Sequence, residues 1–578
     1  MSTVFPIPKQ LLLSCERPAR YIGGEYNAAP VKENAALNFL LCFPDVYEVG
    51  FSNLGIKILY GILNSLPKTS CEYCFAPWPD FGKAMRGNNI PLYGLTSGRP
   101  APEFDMLGFS MQYEMSYTTV LYMLGLAGIP FRAKDRTDND PVIIAGGPCT
   151  LNPNPVEDFF DLFVIGDGEI VIQELVRIFI ENKKNNGTKT DFLRAAAHVQ
   201  GVYVPAAHGG KHKVKRAIAN DLDALPYPVK PALPNIEAVH DRAVVELFRG
   251  CTRGCRFCQA GMACRPVRIR NFDKCKELAF SLIDNTGYDE AGLTSLSSGD
   301  YPRIRELIAD LQHGLKPRRV TLSLPSLRLD SYSGDFGSNG GLTFAPEAGT
   351  QRLRDMINKN ITEEEILTAC EIAFKRSNPS VKLYFMLGLP FETAEDIEGI
   401  IKLCAKIKRT GKRPKISASC AVFVPKPHTP FQWCAQIAPE KALEIQKYLK
   451  HELKRLGVSF HYHDARLSEI EAVLARGDAK LSRVLESVYA AGGFFEGWTE
   501  FFDCEKWSAA FENAGLSSDN YTRAFAVGKP LPWDNIDAGV TKSFLRREYE
   551  KAKRGETTAD CRQACQGCGA GCNNRLVT

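Results

Sequence analysis

The chain has 578 residues, with 71 Lys+Arg against 66 Asp+Glu, 44% hydrophobic residues and 19 cysteines. At about 100 to 200 residues per domain this is three or four domains' worth of chain, which excludes a disordered tail protein, a collagen-like fibre and a disulfide mini-protein. A net charge of +5 is too mild to announce a nucleic-acid or membrane surface, and it forbids neither.

The cysteine number is odd, and a chain this long has no need of disulfide staples. The opening residues MSTVFPIPKQLLLSC show no long apolar core with a small-residue cleavage site, so a reducing cytoplasm is expected. No stretch approaches the roughly 20 apolar residues of a transmembrane helix. LNFLLCFPDVYEVGF is interrupted at Pro44-Asp45, and no membrane association is expected.

Residues 1–35 read as an irregular leader, after which a βα rhythm begins. Leu37 to Phe43 predicts a buried strand and Leu54 to Leu66 has helical spacing. Met106 to Ser110, Pro141 to Ala145 and Leu162 to Ile165 predict further strands, with helices over Tyr117 to Leu126 and Glu169 to Ile180. Such alternation predicts a doubly wound parallel sheet over 36–225, with its ligand crevice at the carboxyl ends of the strands. A proline-rich connector, Leu225-Pro226-Tyr227-Pro228 with Pro231 and Pro234, then acts as a spacer.

From 240 to 435 the alternation resumes. Val244 to Phe248, Gly292 to Leu296, Val320 to Leu324, Gly341 to Phe344, Val381 to Leu387 and Ile416 to Val424 predict strands with helices between them. About six βα units in about 200 residues imply a partial (β/α)6 barrel with its chemistry at the carboxyl face. Residues 436–555 read as mostly helical, and 556–578 form a cysteine-rich tail.

Directly after VVELF stands Arg249-Gly250-Cys251-Thr252-Arg253-Gly254-Cys255-Arg256-Phe257-Cys258, a C-x3-C-x2-C spacing with an aromatic residue before the last cysteine. Chance gives about 0.02 such triples in a chain with this many cysteines. Three thiolates on one tight loop can each take one iron of a [4Fe-4S] cluster and leave the fourth open to a small ligand. Glycines at 250 and 254 let the backbone wrap closely. The competing reading is zinc or buried thiols. Zinc in structural sites takes four ligands, and the next cysteine, Cys264, lies six residues beyond Cys258.

This loop resembles that of the radical S-adenosylmethionine (SAM) superfamily, and further segments match in order. The resemblance implies that Cys251, Cys255, Phe257 and Cys258 form the cluster loop. It implies that Ser298-Gly299-Asp300, Ser323 in SLPSLRLD and Glu347 in FAPEAGTQRLRDMINK contact SAM, followed by the fifth- and sixth-strand segments LYFMLGLPFETAEDI and VFVPKPHTPFQW. The acid motif is Ser-Ser-Gly-Asp, so Asp300 has a shorter reach than the family's Glu, and backbone carbonyls remain the alternative holders of the SAM amine. The chemistry implied is reductive cleavage of SAM in a closed barrel mouth that excludes water.

The strand ends at Asp45, Gly50, Ser110 and Gly146-Gly147-Pro148, with NPNPVEDFFDLFVIGDGE, FAPWPDFGKAMR and FDMLGFSMQYEMSYTTVLYMLGLAGIP, resemble a branch of that superfamily with an N-terminal cobalamin-binding-like domain. The cobalt-ligating Asp-x-His-x-x-Gly of such domains is replaced by Asp45-Val-Tyr-Glu-Val-Gly50. Either cobalamin binds without a histidine ligand or the domain only shapes the barrel entrance.

Cys561-x3-Cys565-x2-Cys568-x3-Cys572 is a second cluster, fitting an auxiliary iron-sulfur centre, a zinc site or free thiols. Cys71 and Cys74 form a lone C-x2-C, read as incidental. The basic run from Lys402 to Lys415 has no acid beside it and reads as a solvated helix end in preference to an RNA contact. His461-Tyr-His463-Asp464 has metal-ligand chemistry, though exposed histidines before a helix are commonplace.

The function expected is a cytoplasmic radical SAM enzyme with a [4Fe-4S] cluster and SAM, and with cobalamin and a second cluster or zinc as further candidates. It would start hydrogen abstraction, methylation or methylthiolation of an RNA, protein or small-molecule substrate. A one-electron donor such as flavodoxin or ferredoxin would supply it. The alternative is a non-catalytic iron-sulfur or zinc protein acting as a redox sensor or scaffold.

Overall fold

The structure, a computed structural model, describes residues 7–209, 212–324, 342–375, 380–411 and 414–572. Its first unit is a six-stranded sheet in the order β2-β1-β3-β4-β5-β6, built from β1 (Leu37–Phe43), β2 (Thr69–Phe75), β3 (Met106–Ser110), β4 (Val142–Gly146), β5 (Leu162–Val164) and β6 (Val202–Tyr203). The first five are parallel and β6 closes the edge antiparallel. Strands buried on both faces read as continuous apolar runs, which is why β1 and β3 stand out in the sequence.

β2 does not, although all seven of its residues are buried. Its TSCEYCF carries Glu72, and that acid is satisfied by the backbone N–H groups of Thr96 (3.0 Å) and Ser97 (2.7 Å). Cys71 and Cys74 are therefore core residues of a strand.

The pair β7 (Val214–Lys215) leads into the second unit. Here β8 (Ala243–Glu246), β11 (Glu290–Thr294) and β12 (Thr321–Ser323) are parallel neighbours. The expected strand Val244 to Phe248 divides: after Glu246 the chain turns, and β9 (Phe248–Arg249) pairs antiparallel with β10 (Arg268–Ile269). A second parallel group holds β13 (Leu342–Glu347), β14 (Ser380–Leu387), β15 (Lys415–Val422) and β16 (Ser459–Tyr462). Gly341, Lys412 and Arg413 lie outside the described residues, and among those described β12 and β13 share no ladder.

β16 is a seventh parallel strand in a stretch expected to be helical. Its SFHY is mostly exposed, so no apolar pattern announces it. Asp464, just beyond it, caps the helix Ala465–Arg476 through the N–H groups of Arg466 and Leu467, and His461 and His463 are exposed. A last strand, β17 (Ile536–Asp537), pairs with β7.

The helices Ala465–Arg476, Leu481–Ala490 and Cys504–Ala514 follow the barrel in sequence but pack into the core of the first unit, to which they contribute Val473, Leu485, Val488 and Trp507. The barrel strands and their helices enclose a separate core. The basic run finds an acid in space: Lys406 pairs with Glu363 (2.5 Å), and Lys408 caps the Leu456 carbonyl. Among the described residues no helix is long and apolar enough to cross a membrane.

Candidate active site

The cysteine loop leaves β9 at Gly250, whose φ of +96° is in the left-handed region; a Cβ there would stand 2.7 Å from the Cys264 carbonyl. Only glycine permits this reversal. Cys251, Cys255 and Cys258 follow on one loop, half-buried, buried and half-buried. Cys258 caps the short helix Gln259–Ala263, receiving the Gly261 N–H at 3.3 Å. Burial, then the neighbouring Cys255 and Cys251 thiols, push the Cys258 thiol up to about 12. A bound metal's positive charge would remove that penalty on the Cys258 thiolate.

The loop is clamped from two sides. Arg256, fully buried, donates to the Met356 carbonyl (2.8 Å), the Glu556 carbonyl (2.7 Å) and Glu548 (3.1 Å). Asn358 Nδ2 donates to the Gly254 carbonyl (3.1 Å). On the side of the first unit, Arg249 pairs with Asp167 and Glu169, both at 2.8 Å, and with Glu246 at 3.0 Å. The cysteine loop is thereby tied to the Gly-Asp-Gly-Glu turn that closes β5.

The other residues singled out in the sequence fall around the loop with differing roles. Asp300 accepts from Arg253 (2.5 Å), Arg562 (3.1 Å) and Ser297 Oγ (2.6 Å). Despite burial, the Arg253 guanidinium and these partners hold its carboxyl below the usual carboxylate range. Two arginines thus take the acid expected to meet the SAM amine. Ser298 is fully buried, its Oγ within reach of the Ser295 hydroxyl (3.1 Å) and the Leu293 carbonyl (3.3 Å), and with Gly299 it forms a tight turn after β11.

Ser323 ends β12 opposite Gly292. Phe257 packs against the apolar cluster of Leu389, Phe423 and Phe431. Glu347, at the end of β13, has φ +68° beside a register shift in the pairing with β14, and Lys359 Nζ reaches its carboxylate at 3.0 Å. Backbone strain of this kind at a non-glycine residue gathers at functional sites. Arg253 and Lys359 were not legible as site residues, because their acidic partners lie 47 and 12 positions away. Among the described residues no three His, Cys, Asp or Glu side chains converge to hold a single metal ion.

In the first unit, a cavity of about 400 Å³ opens at the carboxyl ends of β1, β3, β4 and β5, lined by Leu41, Phe109, Ser110, Gly146, Val164 and Arg249 among others. This is the point where the strand order reverses, the usual ligand crevice of such sheets. A second cavity of about 260 Å³ shares Ser110 and Gln112 with it and is roofed by Phe495 and Trp498. Tyr47, standing where a cobalt-ligating histidine would be, is buried and bonded to Glu25 (3.1 Å) and the Asn235 N–H (2.8 Å). Asp45 accepts from Trp498 Nε1 (3.0 Å).

A family model described as radical SAM proteins, N-terminal, matches residues 55–205, and the radical SAM superfamily model matches residues 245–404. The chain belongs to the radical SAM superfamily and is a radical SAM enzyme, whose cofactors are a [4Fe-4S] cluster and SAM. It is 30% identical over 459 residues to an uncharacterised protein of Methanocaldococcus jannaschii, covering 78% of this chain and 90% of the relative. An uncharacterised methyltransferase of Pyrococcus horikoshii is 22% identical over 291 residues, covering 48% of this chain and 60% of the relative. Among solved structures, the radical SAM methyltransferase TsrM of Kitasatospora setae, with cobalamin and a [4Fe-4S] cluster bound, aligns with a TM-score of 0.49 at 12% identity over 90% of this chain and 98% of that one. The cobalamin-dependent radical SAM enzyme OxsB aligns with a TM-score of 0.47 at 14% identity, over 91% and 81% of the two chains.

Proposed function

We propose that Cys251, Cys255 and Cys258 hold the [4Fe-4S] cluster and that the enzyme uses it to start the radical modification, by methylation or hydrogen abstraction, of an RNA, protein or small-molecule substrate in the cytoplasm. The observation that carries this reading is one loop bearing three cysteines, clamped by Arg256, Asn358 and Arg249 at the carboxyl end of the first barrel strand. When bound, such a cluster supplies one electron to the SAM sulfonium, which then releases a 5′-deoxyadenosyl radical. The chain's own groups bind and orient. Glu347, turned by its strained backbone and paired with Lys359, is the polar SAM contact after the fourth strand. Asp300 acts through Arg253, fixing that guanidinium beside the loop, and the SAM amine falls to backbone carbonyls after β11. A flavodoxin or ferredoxin is the electron donor proposed.

Anaerobic reconstitution followed by reductant and SAM tests the assignment by the yield of 5′-deoxyadenosine. Wild type is expected to form it, and the C251A/C255A/C258A variant to form at least about a hundredfold less. No product from wild type with strong reductant, or equal product from the variant, overturns it.

The crevice in the first unit favours a second cofactor there. Gly146 faces open space, with no atom within 4 Å of where its Cβ would be, so the floor is bare for an extended apolar and polar ligand. We propose cobalamin as its occupant; Tyr47, committed to Glu25 and Asn235, offers no ligand to its cobalt.

A further inference from the structure

After the helix Lys542–Lys553 the chain turns back along the cysteine loop. The Thr558 N–H donates to Asn358 Oδ1 at 2.7 Å, and Asp560 accepts from Thr252 Oγ1 at 2.9 Å. Cys561 then donates its backbone N–H to the Thr252 carbonyl at 3.1 Å, so the first tail cysteine stands on a strand of chain bonded to the one that carries Cys251. The segment at Cys568-Gly569 is anchored too. Thr541 donates its N–H to the Cys568 carbonyl at 2.9 Å, and Gly569, at φ +91°, approaches Thr541 so closely that a Cβ would stand 2.5 Å from its methyl group. Cys568 is buried, Cys561 and Cys572 are half-buried, and Cys565 is exposed.

Arg265 provides an independent observation. It is 3% exposed, its guanidinium lies 5.4 Å over the Phe544 ring, and its Nε donates to the Gly261 carbonyl at 3.0 Å. Its Nη1 has no hydrogen-bond partner among the described residues. Its electrostatic neighbours are Cys561 and Cys568 of the tail and Cys251 of the loop. A buried donor left unmade costs free energy, and so does a buried charge without a counter-charge. Four thiolates gathered on a metal centre supply both the acceptor sulfurs and the negative charge.

We propose that Cys561, Cys565, Cys568 and Cys572 hold a second [4Fe-4S] cluster, seated against the loop of the first with Arg265 as the buried cation between them, and that this centre relays electrons. The first three of these cysteines repeat the spacing of the catalytic loop, and zinc has no redox chemistry to offer beside a redox centre. The direction follows from exposure: Cys565 faces solvent, while Cys561 abuts Thr252. A low-potential donor protein loses one electron to the tail centre, which passes the same electron to the catalytic cluster and returns to its oxidised state. The relay rests on the assignment of Cys251, Cys255 and Cys258; the second centre itself does not.

The test uses the full-length protein, reconstituted with iron and sulfide, as wild type, as C251A/C255A/C258A and as C565A/C568A. Iron is expected at about eight per wild-type chain and about four in each variant. Reduced C251A/C255A/C258A should keep an electron paramagnetic resonance signal that SAM does not shift, and C565A/C568A one that SAM does. With dithionite, C565A/C568A should cleave SAM within about twofold of wild type, and with reduced flavodoxin at least about tenfold more slowly. If the double variant does not fold, Cys565→Ser at the exposed thiol repeats the comparison. About four irons in wild type with none in C251A/C255A/C258A overturns the second cluster, as does zinc in its place. An unchanged flavodoxin-driven rate in C565A/C568A overturns the relay. Wild type that holds about eight irons and leaves SAM intact sinks the catalytic assignment alone.

Discussion

Glu392 shows how a single carboxyl can report on the barrel mouth. It accepts the Gly388 N–H at 2.7 Å where β14 ends, and burial pushes it up to about 7 against the pull of that hydrogen bond. An acid whose pKa is higher folded than unfolded keeps its proton in the native state after the unfolded chain has released it. Its contribution to stability is therefore greatest below about pH 4.5 and is lost as the pH rises through about 7. Denaturant unfolding between about pH 5 and pH 8 should show a loss of roughly 1–3 kcal/mol that Glu392→Gln abolishes; an equal pH dependence in the variant would refute the shift. The sequence showed the glycine after the fifth barrel strand but not this titration, because a carboxyl's pKa depends on what buries it. The same limit applies to Asp300. Its place after the second strand was legible, but its two arginine partners were not, since one is supplied by the tail 262 positions later.

At the scale of elements, the turn after β4 sets two adjacent glycines to different tasks. Gly147 has φ +99° and a Cβ there would stand 2.6 Å from the Met111 carbonyl, whereas Gly146 opens onto the crevice. Gly147→Ala is expected to cost about 1–3 kcal/mol by denaturant unfolding. Gly146→Val should change stability by less than about 1 kcal/mol and yet weaken cobalamin binding at least about tenfold, read by absorption titration. Normal cobalamin uptake by Gly146→Val would remove the crevice from consideration. The apolar runs of β1 and β3 were legible because both faces of those strands are buried. β2 and β16 were not: one hides a satisfied acid among its buried residues, and the other is held by its ladder to β15 rather than by an apolar face.

Across the whole molecule, three remote segments meet at Lys426. It lies beyond β15 and bonds both oxygens of Glu114 at 2.8 Å and Glu471 at 2.9 Å; Tyr113 also donates to Glu471 at 3.0 Å. Glu114 follows β3 in the first unit, and Glu471 lies on a helix that follows the barrel yet packs into the first unit's core. Burial would lower the ammonium, but the two carboxylates hold it well above the ordinary lysine range. No sequence pattern joins positions 114, 426 and 471, because only the tertiary fold brings these three segments together. Taking the cation away leaves a buried and a half-buried carboxylate facing one another, so Lys426→Met is expected to destabilise by about 2–4 kcal/mol. Replacing all three as K426M/E114Q/E471Q should restore most of that loss, because the uncompensated charge goes with the pair. If the triple variant is as unstable as Lys426→Met in denaturant unfolding followed by tryptophan fluorescence, the contact at Lys426 acts by packing and not by charge.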